Sequence, residues 1–172
     1  MPKTLAEINA MGPERFVLCF GDIAEHAAWV AQAAARARPF ASRDAMIAAF
    51  ATAVREAEPD RQLDLLRSHP DLAGKAARAG EITADSRREQ SGAGLDSLDA
   101  EEFTRFTMLN ERYRRTFGFP FILAVKGATK QRILAAFESR LGNSPDAERA
   151  TALSQVLCII RFRIEERVLH DG

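Results

Sequence analysis

The sequence predicts an all-α protein, a single irregular multi-helix domain of about eight or nine helices spanning residues 1–172. Three observations support this fold class. The chain is 47% hydrophobic, which is enough to bury a core, and alanine and leucine favour helix. Residues that suit helix starts precede most of the apolar stretches. Only FPFILAVKG favours extended structure, and it is too isolated to build a sheet. Because the helices are many and short, an irregular array is favoured over a four-helix bundle.

Each of the first five helices has a local start signal. A side chain that can accept a backbone N–H precedes three of them, and a proline suited to the first turn opens the other two. The caps are Thr4 before LAEINAM, Asp22 before IAEHAAWVAQAAARA and Ser42 before RDAMIAAFATAVREA; the prolines are Pro13 at ERFVLCF and Pro59 at DRQLDLLRS. Pro70 disfavours helical geometry at His69, so the fifth helix is expected to end near Ser68.

Four further helices follow the bend at His69. Their start signals are Thr83 for ADSRREQ, Asp99 for AEEFTRFTMLNERYRRTF, Thr129 for KQRILAAFESRL and Ser144-Pro145 for DAERATALSQVLCIIRFRIEERVL. Gly118 and Gly142 suit helix ends, since glycine readily adopts the left-handed conformation found there. Between the long helix and its successor, FPFILAVKG is expected to form a buried extended segment.

Charge and apolar patterning exclude several classes of protein. The 24 basic and 24 acidic residues give none of the basic excess typical of nucleic-acid-binding proteins. No apolar run approaches the roughly 18–20 residues of a membrane span. The N-terminal stretch lacks the apolar core of a secretory signal, and the ending RVLHDG is not a peroxisomal Ser-Lys-Leu address. For Cys19 and Cys158, buried thiols in a reducing compartment are favoured over a disulfide. A cytoplasmic location is therefore expected.

His69 is a candidate for proton transfer. It is one of three histidines in the chain, and imidazole titrates near neutral pH. Pro70 stiffens the bend that carries it, and we expect the imidazole to face a cleft. Without this context, a structural or solvated histidine is the commoner explanation.

A second candidate group is the polar set Ser86, Glu89 and Gln90. At spacings i, i+3 and i+4 these residues share one helix face, whereas Arg87 and Arg88 point elsewhere. Taken alone, the segment fits a solvated polar face better than a site. The alternative is a ligand-binding face on which Glu89 orients a histidine or moves a proton.

The segment FGFPFI, residues 117–122, is apolar and stiff. A core segment is the obvious interpretation, yet its backbone amides need partners if they are buried, and a ligand could provide them. Asn110 lies on an apolar helix stripe beside this segment. We expect its amide to make a buried hydrogen bond that positions the segment.

Arg163 lies on the apolar stripe of the last helix. At about 100° per residue it is about 20° from Val156, whereas Arg161 is about 160° away on the opposite side. A charge on a core-facing stripe is costly unless it is paired. A structural salt bridge and an anchor for an anionic ligand are both open, since a guanidinium matches a carboxylate.

Common cofactor motifs are missing from the sequence. There is no His-Glu-x-x-His or Cys-x-x-Cys spacing for a metal, no phosphate-binding loop, no dinucleotide fingerprint and no Gly-x-Ser-x-Gly elbow. The sequence therefore predicts a site without a metal.

The motifs together resemble one family, the OHCU decarboxylases, which act on 2-oxo-4-hydroxy-4-carboxy-5-ureidoimidazoline, a late intermediate of urate breakdown. The resemblance rests on SHPDLAG, ADSRREQ, LNERYRRTFGFPFILAVKG and IIRFRIEERV in this order, and it spans essentially the whole chain. One stretch departs from the family pattern: EHAAW stands where the family often has EHSPW. We expect this difference to affect packing more than chemistry.

The resemblance implies a cofactor-free, all-helical, usually dimeric enzyme that takes a small ureidoimidazoline and yields (S)-allantoin and CO2. Matched by motif, the catalytic histidine falls on His69 and its carboxylate partner on Glu89. The positions implied for substrate contact are Pro70, Ser86, Gln90, Arg163 and the backbone of Phe121 and Ile122.

The chemistry of that substrate is consistent with a site without a cofactor. Decarboxylation releases an electron pair, and the substrate's C=N bond beside the carbon that loses CO2 can accept it. What remains is to deprotonate the hydroxyl and to protonate the neighbouring carbon on one face, which a His/Glu pair can do.

Two alternatives are weaker. An enzyme of the same fold could act on a different small ureido or imidazole acid. A non-catalytic helical interaction module would make His69 and Glu89 incidental. The discriminating observation is whether His69, Glu89 and Arg163, which are far apart in sequence, converge in one pocket, since a module has no reason to gather them.

Overall fold

The computed structural model describes residues 1–170, except for the side chains of Ala76 and Arg78. The end of the stretch RVLHDG thus lies outside the described residues. More than half of the described residues are helical, and they form ten helices: α1 Leu5–Asn9, α2 Pro13–Phe20, α3 Ala28–Ala35, α4 Arg43–Arg55, α5 Pro59–Arg67, α6 Lys75–Arg78, α7 Ala84–Gly92, α8 Ala100–Phe117, α9 Lys130–Arg140 and α10 Pro145–Arg167. The all-α prediction is confirmed. Only α6, a single turn, has no counterpart among the helices predicted from the sequence.

Most predicted start signals are confirmed as hydrogen-bonded caps. Capping boxes form at Thr4 with Glu7 and at Asp99 with Glu102. The hydroxyls of Ser42, Thr83 and Thr129 each accept a backbone N–H from the first turn of α4, α7 and α9. These local bonds satisfy donors that a helix start leaves open, which is why the helices begin where the sequence predicts.

The predicted start of α3 is wrong. Asp22 does not cap a helix, since α3 begins at Ala28 and turns occupy the preceding residues. Its carboxylate instead binds Arg167 at 2.6 and 3.2 Å. Glu25 adopts a left-handed backbone conformation with φ 54°, which interrupts any helix through this stretch. An ion pair 145 residues away in sequence thus overrides the local cap signal.

Asp22→Asn tests this ion pair through its pH dependence. Burial opposes ionisation of Asp22, but the hydrogen bond and charge of Arg167 outweigh it and hold the pKa of the carboxyl below its usual value. A lowered folded-state pKa stabilises the fold above the ordinary Asp pKa and loses that contribution as pH falls through the folded value. We expect the variant to lose about 0.2–1 kcal/mol at pH 7. Urea unfolding at pH 7 and pH 3 measures this; an equal loss at both pH values would contradict it.

The chain divides into two compact units. One comprises residues 1–68 and the described residues from Leu157 onward, and the other comprises His69–Val156. In the first unit α2 packs on α3 and α3 on α4. Phe16 lies at its centre, 5.0 to 6.3 Å between ring centroids from Phe20, Phe40 and Phe50. A single parallel β-bridge joins Lys3 to Val168.

The second unit has its own aromatic core, built around α8, α9 and the segment after α8. Gly118 ends α8 with φ 82°, a left-handed value that glycine adopts without strain. The next residues are neither helix nor strand and are mostly buried, as predicted for FPFILAVKG. Phe121 stacks on Phe137 of α9 at 3.7 Å and meets Tyr113 of α8 edge-on at 5.2 Å.

Two further expectations can be compared with the structure. Cys19 and Cys158 are free, as predicted, although both are only partly buried. Within residues 1–170, no helix has the length and apolar character needed to cross a membrane. That residues 1–172 form a single domain stays a prediction.

Candidate active site

His69 lies on the bend that follows α5. Ser68 ends that helix, and the next residues up to Gly74 are non-helical, as the proline at position 70 predicts. His69 is only 6% exposed. The imidazole is therefore more buried than the cleft-facing side chain that we expected.

Side chains from α7 and α8 hold the loop after His69. The amide of Gln90 accepts the Ala73 N–H at 3.0 Å, and its nitrogen lies 3.4 Å from the Asp71 carbonyl. Asn110 donates to the Leu72 carbonyl at 2.8 Å. The interpretation of Asn110 is thus wrong in one respect: its hydrogen bond holds the loop after His69, not the Phe segment.

The predicted polar face of α7 is turned inward. Ser86 and Gln90 are buried and Glu89 is half-buried, whereas Arg87 and Arg88 are exposed. Because Gln90 contacts the loop after His69, this face and the loop belong to one local structure. The amide of Gln90 is engaged with that backbone, and its contact with substrate stays a prediction.

The segment around Phe121 and Ile122 presents backbone donors. Both residues are buried, at 0% and 3% exposed. Among residues 1–170, no acceptor forms a hydrogen bond with the N–H of either residue. Unpaired buried N–H groups are rare in proteins, so this strip could donate to a bound ligand.

A buried ionic cluster, formed by Arg140 and Glu148, bonds to the same segment. Arg140 of α9 donates to the Ile122 carbonyl at 2.6 Å and to Glu148 of α10 at 2.5 Å. Glu148 has no exposed surface and also accepts from the Tyr113 hydroxyl and from Asn143. Burial, with the hydrogen bond to Glu148, raises the pKa of the Tyr113 hydroxyl, so the hydroxyl stays protonated and donates.

Arg140 and Glu148 were not singled out from the sequence, although a signal for them exists. At about 100° per residue, Arg140 lies about 20° from Ile133 on the apolar stripe of α9. Glu148 lies about 20° from Ile159 on the stripe of α10. This is the same pattern that marks Arg163, and it identifies charges that must be paired inside the protein.

Arg163 is buried, as its stripe position predicts, and Arg161 is exposed. Its guanidinium forms an ion pair with Glu25 at 2.6 Å, with both side chains 1% exposed, and donates to the Ile23 carbonyl at 3.1 Å. The salt bridge that the sequence left open is therefore present. Arg163 belongs to the first unit, whereas the other predicted site residues belong to the second. Its contact with substrate stays a prediction.

A cavity of about 540 Å³ lies within the second unit beside α7. Its lining includes Ala73, Arg87, Gln90 and Phe103. Arg87 donates to the Gly80 carbonyl there, and Ser91 donates to Asp96. Of the predicted site residues, Gln90 alone is part of the described lining.

No group of three or more His, Cys, Asp or Glu side chains within residues 1–170 is arranged to hold a metal ion. The loop after His69 is instead held by the amides of Gln90 and Asn110, and Asp71 on this loop pairs with Arg114. This arrangement suits hydrogen bonding and proton transfer to a polar organic ligand.

Comparison with known protein sequences gives a consistent result over nearly the whole chain. The sequence pattern of the OHCU decarboxylase family matches residues 9–165. A 2-oxo-4-hydroxy-4-carboxy-5-ureidoimidazoline decarboxylase of Haloferax volcanii is 43% identical over 164 residues, which cover 95% of both chains. A uric acid degradation bifunctional protein of Bacillus subtilis is 39% identical over 169 residues, which cover 98% of this chain and 33% of that protein.

Solved structures also resemble this chain. The crystal structure of (S)-allantoin synthase matches with a TM-score of 0.79 and 31% identity, over 98% of this chain and 54% of that one. This chain thus spans about half the length of the synthase. An OHCU decarboxylase crystallised in the presence of (S)-allantoin matches with a TM-score of 0.69 and 20% identity, over 91% of this chain and 97% of that one. The second likeness concerns the fold.

Proposed function

The chain belongs to the OHCU decarboxylase family, and on this premise we propose that it decarboxylates 2-oxo-4-hydroxy-4-carboxy-5-ureidoimidazoline to (S)-allantoin and CO2 in urate breakdown. The Haloferax volcanii relative that carries this activity in its name is matched over 95% of its length. The family match therefore concerns a whole enzyme of similar size.

One observation in the structure carries the proposal. Two motifs that are separate in sequence each bond to the loop after His69 in the second unit. Gln90 of the ADSRREQ motif bonds to Ala73 of SHPDLAG, and Asn110, the second residue of LNERYRRTFGFPFILAVKG, bonds to Leu72. These bonds hold the loop that follows the buried His69, which supports an enzyme site; the convergence of His69, Glu89 and Arg163 in one pocket stays a prediction.

The proposed reaction follows from the substrate's own chemistry. The bond from the ring carbon to the carboxylate breaks, CO2 leaves, and the electron pair moves toward the nitrogen of the adjacent C=N bond. The hydroxyl on the same carbon loses its proton and becomes a carbonyl. The neighbouring carbon gains a proton, and the face on which it is added sets the configuration of the product. The nitrogen that receives the electron pair takes up one proton from solvent, and with that proton atoms and electrons balance without any oxidant or reductant.

In the proposed mechanism, His69 and Glu89 handle the two proton transfers. Glu89 is half-buried on the inward face of α7, where a carboxylate can orient and stabilise an imidazolium. Such transfers typically contribute about 10²–10⁴-fold to the rate.

The remaining predicted residues position the substrate. Ser86 and Gln90 orient polar ring or ureido groups, and Pro70 lines the bend beside His69. The N–H groups of Phe121 and Ile122 donate to the ring, which their lack of acceptors within residues 1–170 supports. Arg163 anchors a polar part of the substrate through its guanidinium. Holding the reacting groups in place lowers the entropic part of the barrier.

The cellular context belongs to the same proposal. The family resemblance supports a homodimer, and the two free cysteines fit a reducing cytoplasm. Oxidation of urate and hydrolysis of the oxidised product must supply the substrate before this reaction.

The direct test of the activity uses substrate generated enzymatically from urate. The purified chain is added, and the decay of the substrate is followed by its ultraviolet absorbance. We expect decay to be faster in proportion to enzyme concentration. Decay at the unaided rate would refute the activity. Inactivity here with rapid turnover of another ureido or imidazole acid would favour the alternative enzyme.

Chelation tests the expectation that the site uses no metal. The chain has three histidines without ligand spacing, and no acidic or histidine cluster suits a metal within the part that the structure describes. Activity should therefore survive exhaustive dialysis against a chelator. Loss of activity that a divalent ion restores would contradict this expectation.

A further inference from the structure

The loop that carries His69 is tethered at three consecutive residues. Gln90 of α7 donates to the Asp71 carbonyl and accepts from the Ala73 N–H. Asn110 of α8 donates to the Leu72 carbonyl. Ala73 has a left-handed backbone conformation, with φ 54°, which a residue with a Cβ adopts only under constraint. These tethers fix a loop that has no helical hydrogen bonds of its own.

Asn110 is the tether to which the reaction proposed above assigns no role. It is 4% exposed and lies among the aromatic side chains of α8. Its nitrogen donates to the Leu72 carbonyl, while its oxygen has no hydrogen-bond partner within residues 1–170. Burying a half-satisfied amide is costly, and a leucine would pack there without that cost. The amide of Asn110 contributes one hydrogen bond, which holds the Leu72 carbonyl of the loop.

We propose that Asn110 is a positioning residue for His69: by fixing the Leu72 carbonyl, it sets where the imidazole stands during proton transfer. This proposal rests on the function proposed above. Asn110 has no assigned contact with substrate, so it acts on the chemical step through the loop. Its removal should therefore lower kcat and leave KM unchanged.

Asn110→Leu removes the donor and keeps an apolar side chain of similar size. We expect kcat to fall about 10–100-fold, since small misplacements of a reacting group cost about this much. The product should also lose part of its (S) excess, because a displaced imidazole controls one face less strictly. The nuclear magnetic resonance signals of the His69 imidazole should shift, a readout that does not depend on turnover.

Asn9→Leu is the matched control. Asn9 also holds a loop through its amide, with bonds of 2.9 and 2.8 Å to the backbone of Phe40. Phe40 has no proposed role in the reaction. This variant should lose stability but keep the parental kcat, product configuration and His69 signals.

The outcomes separate the two proposals. An inactive parent refutes the proposed function, and the His69 signals then still show whether Asn110 positions the imidazole. An active parent with parental kcat and full (S) excess in Asn110→Leu overturns the positioning role. If Asn110→Leu does not fold, Arg114→Gln decides: it removes the half-exposed ion pair to Asp71 on the same loop. A smaller loss of kcat at unchanged KM supports the proposal, and parental kcat overturns it.

Discussion

Replacing His69 by asparagine is expected to lower turnover by about 10²–10⁴-fold. Asparagine keeps hydrogen bonding but cannot titrate, so the variant removes the proton transfer while disturbing the loop little. Turnover is measured with freshly generated substrate, and the unaided decay is subtracted. Because His69 is buried, urea unfolding must show that the variant is folded at the assay temperature.

Two further variants sharpen this result. Glu89→Gln should also be impaired, because it removes the charge that orients and stabilises the imidazolium. His26→Asn is the matched control, since His26 is exposed and has no proposed role; it should turn over at the parental rate. If His69→Asn is folded and works at the parental rate, the proton chemistry lies elsewhere.

Replacing Glu148 by glutamine is expected to destabilise the fold by about 3–5 kcal/mol. Glu148 is fully buried against Arg140, and glutamine would leave that guanidinium buried without its counter-charge. Arg140 also holds the Ile122 carbonyl, so loosening the cluster should weaken the segment proposed to bind the substrate ring. We therefore expect KM to rise in any fraction of the variant that stays folded.

The chain offers a matched control for this variant. Glu138→Gln breaks the ion pair with Arg105, whose two side chains are both more than half exposed. Exposed pairs contribute about 0–1 kcal/mol, because water already solvates the charges. Urea unfolding of both variants measures the difference. Equal losses in the two variants would show that burial does not govern the contribution of the Glu148 cluster.

Much of the fold is encoded in short local signals. Thr4 and Asp99 start their helices through capping boxes, and Ser42 caps α4 with its hydroxyl. Such signals can be read from the sequence because cap and helix lie within four residues of each other. Asp22 is also a residue type that caps helices, but it binds Arg167 instead. A local sequence pattern does not predict a partner 145 residues away.

Some features of the candidate site also follow from local sequence, whereas others depend on contacts between distant residues. The shared face of Ser86, Glu89 and Gln90 and the burial of Arg163 follow from helical periodicity, but the inward direction of that face does not, because the segment alone fits a solvated face better. The partner of Asn110 depends on where the loop after His69 returns to α8, which periodicity does not specify. Periodicity also indicates that Arg140 and Glu148 are buried charges. It does not specify that they pair with each other or that Arg140 donates to the Ile122 carbonyl.

The configuration of the product tests the central claim most directly. Urate-derived substrate is converted by the parent and, side by side, by His69→Asn, and the allantoin formed is followed by circular dichroism. If the chain is an OHCU decarboxylase whose His69 controls protonation, the parent gives (S)-allantoin and the variant gives a racemic product at close to the unaided rate. Racemic allantoin from the parent, or full (S) excess at the parental rate from His69→Asn, would contradict the account.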